Sequence, residues 1–289
     1  MKKLATIIIS LAVACSMAAA KDYPVGISLS LYGIDLSPEN AEAVKAAGVE
    51  WVEVVMTPFM RKKPENEFYT EMFKIKEIVD KAGLKVWSVH LPYGKNIDIS
   101  VCDPATREKY LVKQERMIEL AGIFNPQRLV LHPSAEPIPD SERAERLVCA
   151  RSSIGRLSLA AKKIGAVLCI EDLPRTCLGR NSDEILYLIK DFPEVMVCFD
   201  VNHLLQESHE HFLNAVGDRI RTIHASDYDR IDERHWLEGM GVIDWPALNE
   251  GLKKAGYKGV FMHEVRNGED VNPATIKAAY KSVVCGKKK

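Results

Sequence analysis

Eight short apolar runs recur along the chain, and each is followed by a segment with helical spacing. The runs are VGISLSL (25–31), WVEVVM (51–56), LKVWSVH (84–90), RLVLH (128–132), AVLCIE (166–171), VMVCFD (195–200), IRTIH (220–224) and GVFMHE (259–264). Helical segments are expected at 37–48, 67–82, 104–123, 141–164, 182–190, 205–216, 246–254 and 273–284. Apolar spacing and start signals define them. Ser37-Pro38-Glu39 shows the start signal well, with an N-cap serine, a proline at the first helical position and an acid in the first turn. Gly48, Gly83, Gly165 and Gly256 stand between a helical segment and the next run, where a helix-terminating glycine is expected.

Strand–helix alternation of this kind gives a parallel sheet covered by helices. Over residues 21–289 each unit averages about 34 residues, which matches a single-domain α/β (β/α)8 TIM barrel. The competing architecture is an open doubly wound sheet. It usually has fewer strands and often a glycine-rich phosphate turn, and neither GxGxxG nor GxxxxGK[ST] occurs here.

The barrel is preceded by a different kind of sequence. Lys2 and Lys3, an apolar stretch from Leu4 to Cys15 and the small residues Ala18-Ala19-Ala20 have the layout of a secretory signal peptide covering residues 1–20. The apolar part is too short to span a bilayer. Export to the periplasm or outside the cell is the expectation, and Cys15 after small residues leaves a lipoprotein open. Without Lys2 and Lys3, Lys+Arg falls from 39 to 37 against 40 Asp+Glu, a net charge of −3. That argues against a nucleic-acid partner, which asks for a basic face. Six cysteines remain in 21–289, with no CxxC pair; Cys169 and Cys198 lie inside apolar runs and read as buried thiols. The block Lys287-Lys288-Lys289 reads as a disordered tail.

The third to eighth runs each end on a metal-binding residue type: His90, His132, Glu171, Asp200, His224 and Glu264. In a parallel barrel those ends converge on the rim that carries the active site. One histidine there is an ordinary loop residue, and one acid an ordinary N-cap. A lone buried carboxylate would also be costly and would tend to protonate. Three carboxylates and three imidazoles together are tolerable when a divalent cation sits among them. Other residues reach the same rim. His203, three past Asp200, has the reach to bind metal or substrate, or to cap a helix. Asp227 is placed to orient His224. The segment DERHWLEGMGVIDW (232–245) is a long loop able to fold over the mouth, and its His235 is a candidate substrate or second-metal ligand. Arg175 follows Glu171 closely, either to bind an anionic or hydroxyl group or as a solvated surface residue. Glu53 lies inside the second run, with no partner legible.

The motifs SVHLP (88–92), LVLHPS (129–134), IEDLP (170–174), FDVNH (199–203), IHASD (223–227), RHWLEGMGVIDW (234–245) and His263-Glu264 resemble, in this order and spacing, the xylose isomerase-like TIM-barrel superfamily. That group contains sugar (phosphate) isomerases and epimerases and the apurinic endonucleases. The resemblance covers nearly all of 21–289. It implies one divalent metal on Glu171, Asp200, His224 and Glu264, with Glu171 and Glu264 as the acid–base pair and His203 on the substrate. His90, His132, His235 and Arg175 are likewise expected on the substrate, while the endonuclease branch implies a second and third metal through His90, His132, His203 and His235. The matching acid is ambiguous, since Glu233 stands where Asp is expected and Asp232 is one residue off.

The expected reaction is proton abstraction beside a sugar carbonyl through an enediolate, giving an isomerase or epimerase. Three oxygens and one nitrogen suit Mn²⁺, Mg²⁺, Co²⁺ or Zn²⁺. The same site would also suit a keto-sugar or keto-glycoside lyase or dehydratase, and export favours an unphosphorylated or glycosidic substrate. The other readings are an endonuclease-like phosphodiesterase and a non-catalytic sugar-binding exported protein. The expected partner is a small-molecule sugar, with no nucleic acid, no transmembrane segment, and a homo-oligomer left open.

Overall fold

The computed structural model describes residues 22–286. The segment read as a signal peptide, Cys15 within it, and Lys287-Lys288-Lys289 lie outside the described residues. Eight strands close into one parallel barrel in chain order: β1 (Val25–Ser28), β2 (Trp51–Val55), β3 (Lys85–His90), β4 (Arg128–Leu131), β5 (Val167–Glu171), β6 (Met196–Asp200), β7 (Ile220–Ala225) and β8 (Phe261–His263). Closure is made by β1 against β8, with Val25 opposite Phe261 and Ile27 opposite His263. The helices are α1 (Pro38–Ala46), α2 (Thr57–Lys62), α3 (Glu65–Lys81), α4 (Pro104–Ala121), α5 (Asp140–Lys163), α6 (Ser182–Ile189), α7 (His209–Val216), α8 (Trp245–Lys254) and α9 (Pro273–Ala279).

The strands read as continuous apolar runs because both faces are covered. Ile27, Val52, Val89, Leu129, Ile170, Val197 and Ile223 join a core shared with Ile154 and Leu157 of α5 and Leu252 of α8. Trp87, Val260 and Met262, with Trp51 against them, form a separate cluster toward the strand starts. The Trp87 indole donates to Thr222 Oγ1 at 3.1 Å. Cys169 and Cys198 pack with Val130 as buried thiols.

Local signals were sound where they were strongest. Ser37 accepts from Asn40 N and the Asn40 side chain returns a bond to Ser37 N, which closes a capping box. Gly165 and Gly256 end their helices at φ +76° and +78°, a conformation other residues adopt at a penalty.

Several boundaries differ from the sequence reading. The first run leaves the sheet after Ser28, and Leu29–Leu31 form a 3-10 turn that Ser28 caps. His132 and Glu264 lie one residue past β4 and β8 rather than within them. The helix expected from 205 starts at His209, where Ser208 supplies the cap. The short α2 had no counterpart in the sequence reading. No helix among the described residues is long and apolar enough to cross a membrane.

Candidate active site

Of the strand-end residues, His90, His132, Glu171 and Glu264 line a cavity of about 570 Å³. Glu171, Asp200, His224 and Glu264 each bring one ligand atom within 4.8 Å of the others. His224 Nδ1 is central to this group: it lies 3.0 Å from Glu171 Oε1, 2.9 Å from Glu264 Oε2 and 3.9 Å from Asp200 Oδ2. Asp200 is fixed by its neighbours. Its backbone N–H donates to Asp172 Oδ1 at 2.7 Å, and its Oδ1 accepts from Asn202 N at 2.8 Å. Its Oδ2 is buried without a hydrogen-bond partner among the described residues. His203 Nε2 is its near neighbour at 3.4 Å. A buried carboxylate oxygen without a hydrogen bond, beside two further carboxylates and an imidazole, fits a divalent cation, and the donor set of three oxygens and one nitrogen suits Mn²⁺, Mg²⁺, Co²⁺ or Zn²⁺.

The residue that holds His224 is not the one the sequence suggested. Glu53, fully buried on β2, lies 3.0 Å from His224 Nε2 through Oε2. It also accepts from Ser28 Oγ at 3.1 Å and from Ser88 Oγ at 2.7 Å. A carboxylate on the far ring nitrogen turns the near one toward the cavity and raises its basicity. Asp227 instead accepts from the backbone N–H groups of Tyr228, Gly239 and Ile243 and from the Trp245 indole, at 2.8–3.2 Å. It organises the 232–245 loop from inside. Gly241 packs so closely on it that a Cβ there would stand 2.4 Å from Asp227 Oδ1. Asp227→Ala leaves these buried donors unpaired, so a destabilisation of about 3 kcal/mol is expected in urea unfolding.

Two further groups flank the first. His90 and His132 each place Nε2 against Glu171 Oε2, at 3.0 and 2.9 Å. On the other side His203, Glu233 and His235 meet, with His203 Nε2 3.1 Å from Glu233 Oε2. The ambiguity between the two loop acids is therefore resolved in geometry: Glu233 faces the histidines and Asp232 turns to Arg175. Arg175 lines the cavity but is not free to bind an anion. Asp232 and Glu233 hold it from one side at 2.6 and 3.0 Å, and Glu136 from the other at 2.6 Å. Tyr93, which the sequence reading passed over, stacks on His132 with ring centroids 4.1 Å apart.

The buried carboxylates and imidazoles shift one another's protonation. Burial opposes a charged His90, but Glu171, Glu53 and Glu264 outweigh it and lift the imidazole to about 9. Burial likewise opposes protonation of His203 and His224; Asp200 and Glu233 raise His203 well above the usual range, and the Cys198 sulfur with Glu53, Glu264 and Glu171 does the same for His224. Burial pushes Glu171 and Glu264 up, yet the surrounding histidines pull both down, Glu264 to about 2. Burial raises Asp200 to about 6, with His203 opposing. These protons supply the positive charge that a cation would otherwise bring.

A second hollow of about 950 Å³ beside α7 and α8 contains none of the candidate ligands. The chain is 23% identical over 260 residues to an uncharacterized protein of Methanocaldococcus jannaschii, covering 86% of each. A D-tagatose 3-epimerase-like protein superposes with a TM-score of 0.76 at 21% identity, covering 90% of this chain and 97% of that one. The 3-keto-D-glucoside 4-epimerase of E. coli superposes with a TM-score of 0.69 at 17% identity, covering 89% and 97%. The model of the xylose isomerase-like TIM barrel family matches residues 41–282, and the chain belongs to that family.

Proposed function

We propose that this protein is a divalent-metal-dependent sugar isomerase or epimerase that moves a proton beside a carbonyl. The convergence of Glu171, Asp200, His224 and Glu264 on one spot, with Asp200 Oδ2 making no hydrogen bond, carries the reading. These four residues would hold the ion. A divalent cation supplies Lewis acidity at the carbonyl and adjacent hydroxyl of the sugar, without which a carboxylate is too weak a base. Glu264, half-buried at the cavity and held ionised, takes the proton from one side. Glu171, on β5 across the group, is itself held ionised by its histidines, so the proton it returns on the other side comes to it from a protonated neighbour such as His90, 3.0 Å away. His203 is fixed by Asp172 O at 2.8 Å and, with His235, presents a polar wall for the sugar hydroxyls. Asp227 and Arg175 shape and brace the loop that closes this wall.

The names of the superposed epimerases support a sugar substrate. The keto-glucoside enzyme among them favours keeping a keto-glycoside, and its lyase or dehydratase variant, within the same proposal. The groups His90–His132–Glu171 and His203–Glu233–His235 support places for a second and a third cation. Solvent-exchange measurement tests the reaction: a keto-sugar incubated in D₂O with protein and Mn²⁺ should gain deuterium next to its carbonyl. No uptake across a panel of free and glycosidic keto-sugars would remove the catalytic reading and leave a binding protein.

Glu53 gives a separate test. Glu53→Gln keeps the shape but loses the charge behind His224, so Mn²⁺ affinity by calorimetry is expected to fall about 10–100-fold. An unchanged affinity would show that Glu53 is only a buried structural acid.

A further inference from the structure

We propose that Cys102 and Cys149 are a disulfide-forming pair that fastens the β3–α4 loop to α5. Their Sγ atoms stand 3.2 Å apart. Cys102 directly precedes Asp103, the N-cap of α4, and Cys149 lies within α5, so the link would close a span of 47 residues. Both are half-buried and reachable, whereas Cys169, Cys177 and Cys198 are buried.

The backbone around the pair is already held in place. Ser153 Oγ on α5 donates to Ile99 O at 2.8 Å, and Arg146 on α5 bonds Asp98 Oδ2 and Ser100 Oγ at 3.1 Å each. Asp98 Oδ1 in turn accepts from Ser100 N at 2.8 Å. The two sulfurs therefore face each other through contacts that do not depend on them. A disulfide needs them at about 2.05 Å, an approach of roughly 1.2 Å.

The loop so fastened matters to the cavity. Tyr93, Gly94 and Lys95 line it, and Tyr93 carries the stack onto His132. The inference stands independently of the reaction proposed above. Closure consumes a disulfide oxidant, either a small-molecule disulfide or a protein dithiol in its oxidised form. One cysteine thiolate attacks a sulfur of the oxidant, giving a mixed disulfide and expelling one thiolate. The second cysteine then attacks the first sulfur and expels the other. Two thiols are oxidised, one disulfide is reduced to two thiols, and two protons move with them. Desolvation, with Cys149 beside it, pushes Cys102 up to about 12, so the exchange is slow and the test must run to equilibrium.

The full chain is equilibrated with oxidised glutathione at about pH 8.5, alkylated without reductant and mapped by mass spectrometry. The expected result is one peptide pair joined through Cys102 and Cys149, released by reductant, with a Tm about 5–15 °C above that of the reduced protein. The C102S/C149S variant should show no such reductant-dependent shift. The proposal is overturned if both cysteines are alkylated, if each carries glutathione or pairs elsewhere, or if the double variant keeps the full shift.

Discussion

Glu264→Gln is expected to lower turnover by at least about 10³-fold while the barrel stays folded. The residue sits one position past β8, and its Oε2 is 2.9 Å from His224 Nδ1. Burial opposes its charge, but His224 and His235 keep it ionised down to about 2, so at neutral pH it is ready to accept a proton. Glutamine keeps the size and one coordinating oxygen but cannot take the proton. Loss of a ligand also weakens metal binding, so kcat is to be measured at saturating Mn²⁺ and the fold checked by circular dichroism. A variant with undiminished kcat would place the base elsewhere in the cavity.

Metal loading is expected to raise the Tm by roughly 8–16 °C at a thousandfold excess over Kd, the shift that corresponds to about 4 kcal/mol of linkage. The sign of its pH dependence follows from the protons that now fill the site. A histidine whose folded pKa is raised contributes stability that is present below its unfolded value and lost as pH rises through the folded one. For His90 that window runs from about 6.5 to about 9. The metal-free protein should therefore lose stability across neutral and mildly alkaline pH. Metal must displace protons, so its affinity should rise as pH passes the Asp200 value of about 6 and continue upward as His224 deprotonates. The stabilisation measured by scanning calorimetry with and without Mn²⁺ should accordingly widen from acid to mildly alkaline pH. A gap that narrows with pH would mean that these residues are not the ligands.

Much of this arrangement was legible in the sequence because a parallel barrel writes its strands as unbroken apolar runs. A Glu or Asp at the end of such a run, as at Glu171 and Asp200, stands out against it. The rhythm of eight pointed to closure, and the strand-end residues pointed to the cluster of Glu171, Asp200, His224 and Glu264. Glu53 was illegible for the same reason. It sits in mid-strand, and its partners Ser28, Ser88 and His224 lie 25, 35 and 171 residues away on three other strands. Asp227 misled because it lies three residues from His224. Once β7 ends at Ala225 the chain turns, and the carboxylate faces the loop amides instead of the ring. Arg175 misled because its partners come from two loops distant in sequence, one containing Glu136 and one holding Asp232 and Glu233. Its φ of +53° bends the chain just past Pro174. Side-chain pairing of this sort depends on where loops return, which local periodicity does not encode.

The most direct measurement is an anomalous-scattering map from crystals grown with Mn²⁺. The account predicts a strong peak about 2.0–2.3 Å from an oxygen of Glu171, Asp200 and Glu264 and from Nδ1 of His224. A map with no peak among these four residues, in protein shown by calorimetry to bind the ion, would contradict it.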